Sequence, residues 1–424
     1  MTLASVHTAP LTGRNVAMLL AGRAAFRGSS YLPVVALLSV WGPADYSRYA
    51  SATGLCGWLL FLVMGVEKAS LKLVPRSRRL TADLVRRLVL LGAAPAACSL
   101  LALIAACTLA PGSDVALYPA AGLSVSTTGL LLVSTSLQRL CGRPVNDAAG
   151  YLLLGGVICA LTAVIWLQEL RPIQYLLANA TAGLAVVICQ LLALPRDWWV
   201  GPGGRTRRRI SGLVLRNVWM LGLTELLAAL SVATCFAVLA LSGRTEESTV
   251  LYLTLVATGL ALAVVLALLR LMQPRIAMRL RGCGAAGGRK QAARLLRRIL
   301  RGAVLCGAIL ILAMLGPAVA GLPRPPVVAL LAFGALAEML LFATLSYAVT
   351  LLENTDTRAL TVTSLGALAG LAVTAAVAAL LVPFFGTVGA MAALVLALAG
   401  NAAATGYGLH RHYADSATND VTAS

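Results

Sequence analysis

Residues 15–40 read NVAMLLAGRAAFRGSSYLPVVALLSV. The stretch is apolar and long enough to cross a bilayer as one helix, for which about 20 residues suffice. It nevertheless carries Arg23 and Arg27 on one helical face, which Ser30 continues. An arginine near the bilayer centre costs on the order of 3 kcal/mol, so the pair needs a watery cavity or an anionic partner. For Arg23 the alternative is a side chain that reaches the lipid headgroups. Arg27 lies deeper.

The composition places this stretch in a membrane protein. Of 424 residues 59% are hydrophobic and only 12% charged, and the mean hydropathy is +0.88. Soluble domains contain about 25% charged residues. We predict an all-α integral membrane protein with about twelve transmembrane helices of roughly 20 residues each. The predicted spans are 15–40, 49–67, 88–110, 117–138, 150–168, 173–194, 211–241, 249–268, 302–320, 326–351, 359–382 and 385–408.

The basic residues orient these spans. The formal net charge is +19, but the lysines and arginines occur in short runs between apolar segments, which excludes a nucleic-acid partner. Outside the predicted spans, 27 of them fall on one side of the membrane and 4 on the other. Because basic loops stay inside, we predict a multi-pass protein of the cytoplasmic membrane with both termini in the cytoplasm.

The chain reads as two copies of one plan. We predict a six-helix lobe at 1–194, a basic cytoplasmic linker at 195–210 and a second lobe with a tail at 211–424. In each half a Pro-Arg pair, Pro75-Arg76 and Pro274-Arg275, follows the second span. The predicted fold is therefore two pseudo-symmetric six-helix lobes around a central cavity, as repeated halves often form in transporters.

Polar residues inside the spans are the candidate functional groups. A charged side chain in lipid is costly, so its presence in a span indicates a function. Arg216 holds the place in the second half that Arg23 or Arg27 holds in the first. Glu225 and Glu338 either neutralise arginines or carry coupling protons. Hydroxyl and amide groups either line the cavity or bond their own helices. The candidates for a cavity lining are Ser30, Ser124, Thr128, Thr135, Gln138 and Asn217.

Cysteine and histidine usage predicts neither a metal site nor a cofactor. The nine cysteines include no Cys-x-x-Cys pair, and most fall inside apolar segments, where they pack as small hydrophobic residues. His7, His410 and His412 are all close to the termini, so no histidine is available inside the membrane. The predicted outer loops are too short for enzyme chemistry on a sizeable loop. We therefore predict that the chain is not an enzyme.

Two runs of sequence resemble a known superfamily. WGPADYSRYASATGL (Trp41–Leu55) and MGVEKASLKLVPRSRRL (Met64–Leu80) look like the start of the polysaccharide flippases. These belong to the multidrug/oligosaccharidyl-lipid/polysaccharide (MOP) exporter superfamily, whose members show a Gly-Pro-x-x-Tyr-x-x-Tyr-like outer loop, a Gly-x-x-x-Ala ending of the second helix and a Pro-Arg-like exit. The clear match covers the first 80 residues, and the remainder agrees only in its layout.

The resemblance implies a transporter that works by alternating access. Its substrate would be an anionic lipid-linked saccharide, and Arg23, Arg27 and Arg216 match the cavity arginines that bind the lipid pyrophosphate. Membrane lipids and cell-envelope polysaccharide assembly proteins are the implied partners. The drug-efflux branch usually carries an acid in the first span, whereas residues 15–40 contain none. A multidrug efflux antiporter remains the alternative, followed by a membrane glycosyltransferase or polymerase and a non-transporting assembly component.

Overall fold

The computed structural model describes residues 13–75, 80–111, 113–168, 170–199, 207–260, 262, 301, 325–355 and 360–422. In this part the chain is helical and contains no β-strand. The first six helices are α1 (Gly13–Cys56), α2 (Trp58–Leu73), α3 (Thr81–Leu109), α4 (Leu117–Leu140), α5 (Pro144–Gln168) and α6 (Pro172–Leu192). They are followed by α7 (Arg207–Leu241), α8 (described over 248–260), α9 (Pro325–Thr355) and α10 (Leu360–Thr422). The predicted span at 302–320 lies outside the described residues.

Eight segments of the described helices are long and apolar enough to cross a membrane. Their outer faces carry large apolar side chains; Leu101 is 66% exposed, Leu192 79% and Phe384 75%. Exposed apolar surface of this extent marks a membrane or protein contact rather than a surface in water.

The chain forms two compact units, Met1–Ala229 and Leu230–Ser424. The division falls inside α7, so one continuous helix contributes to both units. The linker predicted at 195–210 is described only at its two ends, and the lobe boundaries predicted around it stay a prediction.

The break predicted between the first two spans is present in the structure, and the second span runs further than predicted. α1 joins two helices across a kink at Gly42, whose φ is +69°, and this kink lies in the predicted break at 41–48. A one-residue turn at Gly57, with helical φ and ψ, separates α1 from α2. α2 then runs on to Leu73, beyond the predicted end at residue 67. Hydropathy ends a span at its first charges, but the segment after Glu67 is rich in good helix formers. Lys68, which we assigned to a loop, therefore lies inside α2.

Small residues bring the helices of the first unit together. A Cβ on Gly129 of α4 would stand 2.9 Å from Cβ of Val63 in α2, and one on Gly92 of α3 would stand 3.2 Å from Leu130 in α4. Helices in lipid associate through such close packing, because the lipid tails are as apolar as the side chains. The core beside these contacts contains Leu130, Leu131, Tyr151, Leu154, Ile158, Val186 and Val187.

In the second unit, a short turn at Thr245–Glu247 contacts the kink of α10. The carboxylate of Glu247 accepts the backbone N–H of Thr387 at 2.7 Å and the Arg244 guanidinium, also at 2.7 Å. Burial raises the pKa of Glu247, but these hydrogen bonds and the Arg244 charge outweigh that effect and hold the pKa below its ordinary value of 4.5. Gly386 adopts φ +54°, and a Cβ there would overlap the Glu247 carboxylate.

Candidate functional site

Arg23 lies partly inside the first unit. Its side chain is half-buried, and the guanidinium carbon lies 5.6 Å from the centre of the Tyr151 ring on α5. The buried Nε of Arg23 has no hydrogen-bond partner among the described residues. Arg27, one turn further along α1, is exposed and shares a hydrogen bond with the hydroxyl of Tyr31. The two arginines thus occupy successive turns of α1, and each keeps donor capacity.

Two carboxylates that the sequence analysis did not single out act on Arg23. They are Glu67 of α2 and Asp147 of α5. Asp147 is fully buried, and its Oδ2 accepts a hydrogen bond from Nε of Arg139 at 2.8 Å, while Oδ1 has no partner among the described residues. One signal in the sequence could have found Asp147. Pro144 is typical of a first helical position, which places Asp147 in the first turn of α5 rather than in a loop.

The polar stripe of α4 divides between two environments. Ser124 and Thr128 line a cavity in the first unit, and Ser30 of α1 lines the same cavity. Thr135 is buried and donates to the Tyr151 hydroxyl at 3.2 Å, next to Arg23. Gln138 is also buried, and its amide donates to the backbone carbonyl of Gln190 on α6. The stripe therefore serves both a cavity and the contacts between helices.

The cavity has a volume of about 170 Å³ and lies among α1, α2, α4, α5 and α6. Its walls combine aromatic rings with hydroxyl and amide groups. Asn179 of α6 is the amide, and its Nδ2 donates to Oγ of Ser124 at 2.8 Å. Neither Arg23 nor Arg27 belongs to the lining, although Phe26, which lies between them on α1, does.

The three polar candidates on α7 do not line this cavity. Arg216 is exposed, and Asn217 donates a hydrogen bond to the carbonyl of Leu213 on its own helix. Glu225 pairs with Lys68 of α2, with Nζ 2.9 Å from Oε1. Lys68 escaped the sequence analysis because we counted it as a cytoplasmic loop residue.

Glu338 is the polar candidate of the second unit. It lies on α9 and shares a hydrogen bond with the Thr258 hydroxyl of α8. Its Oε2 is buried and has no partner among the described residues. Groups of histidine, cysteine and acidic residues that could hold a metal ion are not found in the described part of the chain.

The arrangement of the helices resembles solved transporters. A variant of the Vibrio cholerae MATE transporter VcmN aligns with a TM-score of 0.63 at 14% identity over 99% of each chain. A multidrug resistance MATE family transporter of the MOP superfamily, in an outward-facing conformation, aligns with a TM-score of 0.57 at 12% identity over 94% of each chain. A MOP superfamily transporter from Pyrococcus furiosus aligns with a TM-score of 0.50 at 11% identity. The alignment covers 93% of this chain and 92% of that one. No protein-family model and no curated protein matches the chain.

The chain has the fold of the MATE transporters of the MOP superfamily. At these identities the likeness concerns the fold. It confirms the predicted fold class, an all-α membrane protein, and the described residues contain eight segments long and apolar enough to cross a membrane. The superfamily whose fold it shares is the one that the first 80 residues resemble.

Proposed function

We propose that this chain moves an anionic lipid-linked saccharide from the cytoplasmic to the outer leaflet by alternating access. Its solved structural neighbours are transporters and not enzymes. The observation that carries the proposal is Arg23, a cation on the first helix that is half-buried over Tyr151 with an unpartnered Nε. A buried donor without a partner calls for an explanation, and an anionic ligand supplies one.

The chemistry of the arginines fits a pyrophosphate. A guanidinium presents a planar fork of donors that bonds two phosphate oxygens at once, and Arg27 adds an exposed second fork one turn from Arg23. Arg216 is exposed on α7, and we propose it as the third substrate-binding arginine. The lipid tail remains in the bilayer, where membrane lipids surround it, while the headgroup passes through the protein. Cell-envelope polysaccharide assembly proteins would supply and receive this substrate.

The membrane potential suffices to drive this transport. With an inside-negative potential, moving two negative charges outward yields about 5 kcal/mol per 100 mV. Glu225 and Glu338 are then required only to balance charge. The contact of Glu225 with Lys68 supports that role.

A multidrug efflux antiporter is the second candidate. It is favoured by Asp147, a fully buried carboxylate with an unpartnered oxygen, because such a group suits coupling to a cation. Against it stands the absence of any acidic residue in 15–40, where two arginines lie instead. The Pyrococcus furiosus neighbour is described as having a binding pocket of reverse polarity that suggests a different function. A pocket of a different polarity is thus described for a neighbour of similar fold.

The test is transport by the full chain in proteoliposomes under an imposed inside-negative voltage. One assay follows a polyprenyl pyrophosphate that carries a sugar, and the other follows a cationic dye. Arg23→Lys and Arg27→Lys should each slow lipid flipping about tenfold, since a lysine loses the bidentate contact. Arg171→Lys, at the exposed start of α6, is the matched control and should flip normally. Dye transport without lipid flipping would replace our proposal with the antiporter.

A further inference from the structure

The side chains that line the cavity of the first unit suit an uncharged ring that carries polar groups. Phe26, Tyr49 and Tyr175 supply aromatic faces, and Ser124, Thr128 and Asn179 supply neutral hydrogen-bonding groups. None of its lining residues is an acid, lysine, arginine or histidine. Burying a charge beside such walls is costly, because no counter-charge is present. The chemistry of the lining therefore selects a neutral ligand with hydroxyl or amide groups.

Two polar groups of the lining lack partners. Oδ1 of Asn179 and Oγ1 of Thr53 are buried, and neither has a hydrogen-bond partner among the described residues. The Asn179 amide uses its other end on Ser124, at 2.8 Å. Whichever way the amide is turned, one end stays unpaired, because Ser124 satisfies only one of them. Unpaired buried groups are rare in native proteins and mark sites that a water or ligand completes.

Arg23 lies near the cavity without lining it, because the lining residue Phe26 and the Arg23 guanidinium both contact Tyr151. The Phe26 ring lies 5.5 Å from the Tyr151 ring, and the Arg23 guanidinium lies over the same Tyr151. Arg23, Phe26 and Ser30 follow one another along α1 at about one turn, or 5.4 Å, apart. A ligand bound by its phosphate at Arg23 would reach the cavity with the group attached directly to that phosphate.

We propose that this cavity binds the first sugar ring of the lipid-linked substrate, the ring joined to the pyrophosphate. The inference rests on the proposed function and names a part of its substrate. Asn179 and Thr53 hydrogen-bond sugar hydroxyls, while the aromatic faces of Tyr49 and Tyr175 pack on the apolar C–H face of the ring. The volume of about 170 Å³ suits a six-membered ring, because a cavity of about 150 Å³ holds benzene.

The site makes the transporter discriminate between lipids. A pocket built to hydrogen-bond a hydroxyl rejects an analogue without it, since its own buried polar groups are then left unpaired. Polyprenyl pyrophosphate that has not yet received its sugar should therefore bind more weakly than the glycosylated lipid. This binding preference would keep the carrier lipid without its sugar from being exported.

The experiment measures binding to the purified full chain in nanodiscs. The probes are polyprenyl pyrophosphate, the same lipid carrying one neutral hexose, and the free hexose. Wild type should prefer the glycosylated lipid about tenfold, the equivalent of one well-made hydrogen bond. Asn179→Leu and Thr53→Val should lose the preference and keep their affinity for the bare lipid. Thr181→Val is the control, because this exposed hydroxyl on the same helix bonds only backbone carbonyls of its own helix.

The outcomes separate the two proposals. Equal binding of the two lipids by wild type, or a preference that survives in Asn179→Leu and Thr53→Val, overturns the sugar site and leaves the proposed function standing. Free hexose that binds as tightly as the lipid-linked form overturns the assignment to a lipid substrate. Failure to bind either lipid overturns both proposals. Should Asn179→Leu not fold by its melting curve, Thr53→Val and Thr128→Val decide the question.

Discussion

Nζ of Lys68 lies 2.9 Å from Oε1 of Glu225 and joins α2 to α7. About one turn earlier on each helix, a Cβ on Gly222 would stand 2.8 Å from Cα of Gly65, so the two backbones are in contact there. The paired side chains are only 20% and 24% exposed. Close glycines and a shielded ion pair therefore hold α7 to α2 at the same place.

Removing one partner of the Lys68–Glu225 pair should destabilise the protein more than removing both. Removing one member of a buried pair costs about 3 kcal/mol, because the other member keeps a charge that is shielded from water, whereas two neutral side chains keep none. We expect Lys68→Met and Glu225→Gln to melt at lower temperature than the double variant in detergent. The control is Arg48→Gln, whose partner Asp45 is 53% exposed, and it should change melting little. A double variant that melts below both single variants would contradict the charge-balance role.

The Glu338→Gln variant tests whether this carboxylate carries coupling protons or only neutralises a positive charge. If the voltage alone drives transport, lipid flipping by Glu338→Gln and Glu225→Gln should keep the wild-type dependence on voltage, and a pH gradient at zero voltage should drive no flipping even in wild type. The measurement imposes the pH gradient and the voltage separately on proteoliposomes. Wild-type transport that follows the pH gradient and loses that response in either variant would show that a carboxylate carries protons.

Gly386→Ala should destabilise the second unit. The substitution forces an L-residue to φ +54°, which costs about 1–2 kcal/mol, and it places Cβ on the Glu247 carboxylate. The matched control is Gly400→Ala on the same helix, where a Cβ meets nothing within 4 Å. That change should raise the melting temperature slightly, because alanine favours a helix over glycine. Equal melting of the two variants would show that the contact at Gly386 contributes nothing.

Glu247 should make stability depend on acid pH. Its pKa is lower in the folded chain than its ordinary value of 4.5, so the carboxylate stabilises the fold above that pH. The contribution is lost as the pH falls from 4.5 towards the folded pKa. Melting curves of wild type should therefore fall more steeply in this range than those of Glu247→Gln. Glu246→Gln, an exposed neighbour, should follow wild type.

The two termini should lie in the cytoplasm. The expectation follows from the 27 basic residues on one side of the predicted spans and 4 on the other. Reporter fusions after Leu80, Thr206 and Ser424 should report inside, and a fusion after Thr245 should report outside. An outside signal at Thr206 would contradict the arrangement of six spans before it.

Periodicity and hydropathy predict much of this fold, because burial in lipid demands long apolar helices. They misplace the end of the second span for a physical reason. Hydropathy is averaged over a window of residues. The average falls where Glu67 and Lys68 enter the window, so the predicted span ends there. The break between the first two spans is placed correctly, because the kink at Gly42 lies within residues 41–48, which were predicted to separate them.

The candidate site could be predicted only in part. Ser30, Ser124 and Thr128 were chosen for their helical spacing, and all three line one cavity. Asn179 was not chosen as a candidate, because no polar stripe at helical spacing on α6 marks it. The pairing of Lys68 with Glu225 joins residues far apart in sequence, and only the packing of α2 on α7 brings them together.

The contact between Glu247 and the turn at Gly386 has a consequence for synthesis. The ribosome completes the turn at Thr245–Glu247 long before it reaches Gly386, and domains generally fold as units once their chain has emerged. Until then the Glu247 carboxylate lacks the Thr387 N–H that it binds in the finished protein. A chain released before α10 is made therefore cannot form this contact between the turn and the kink.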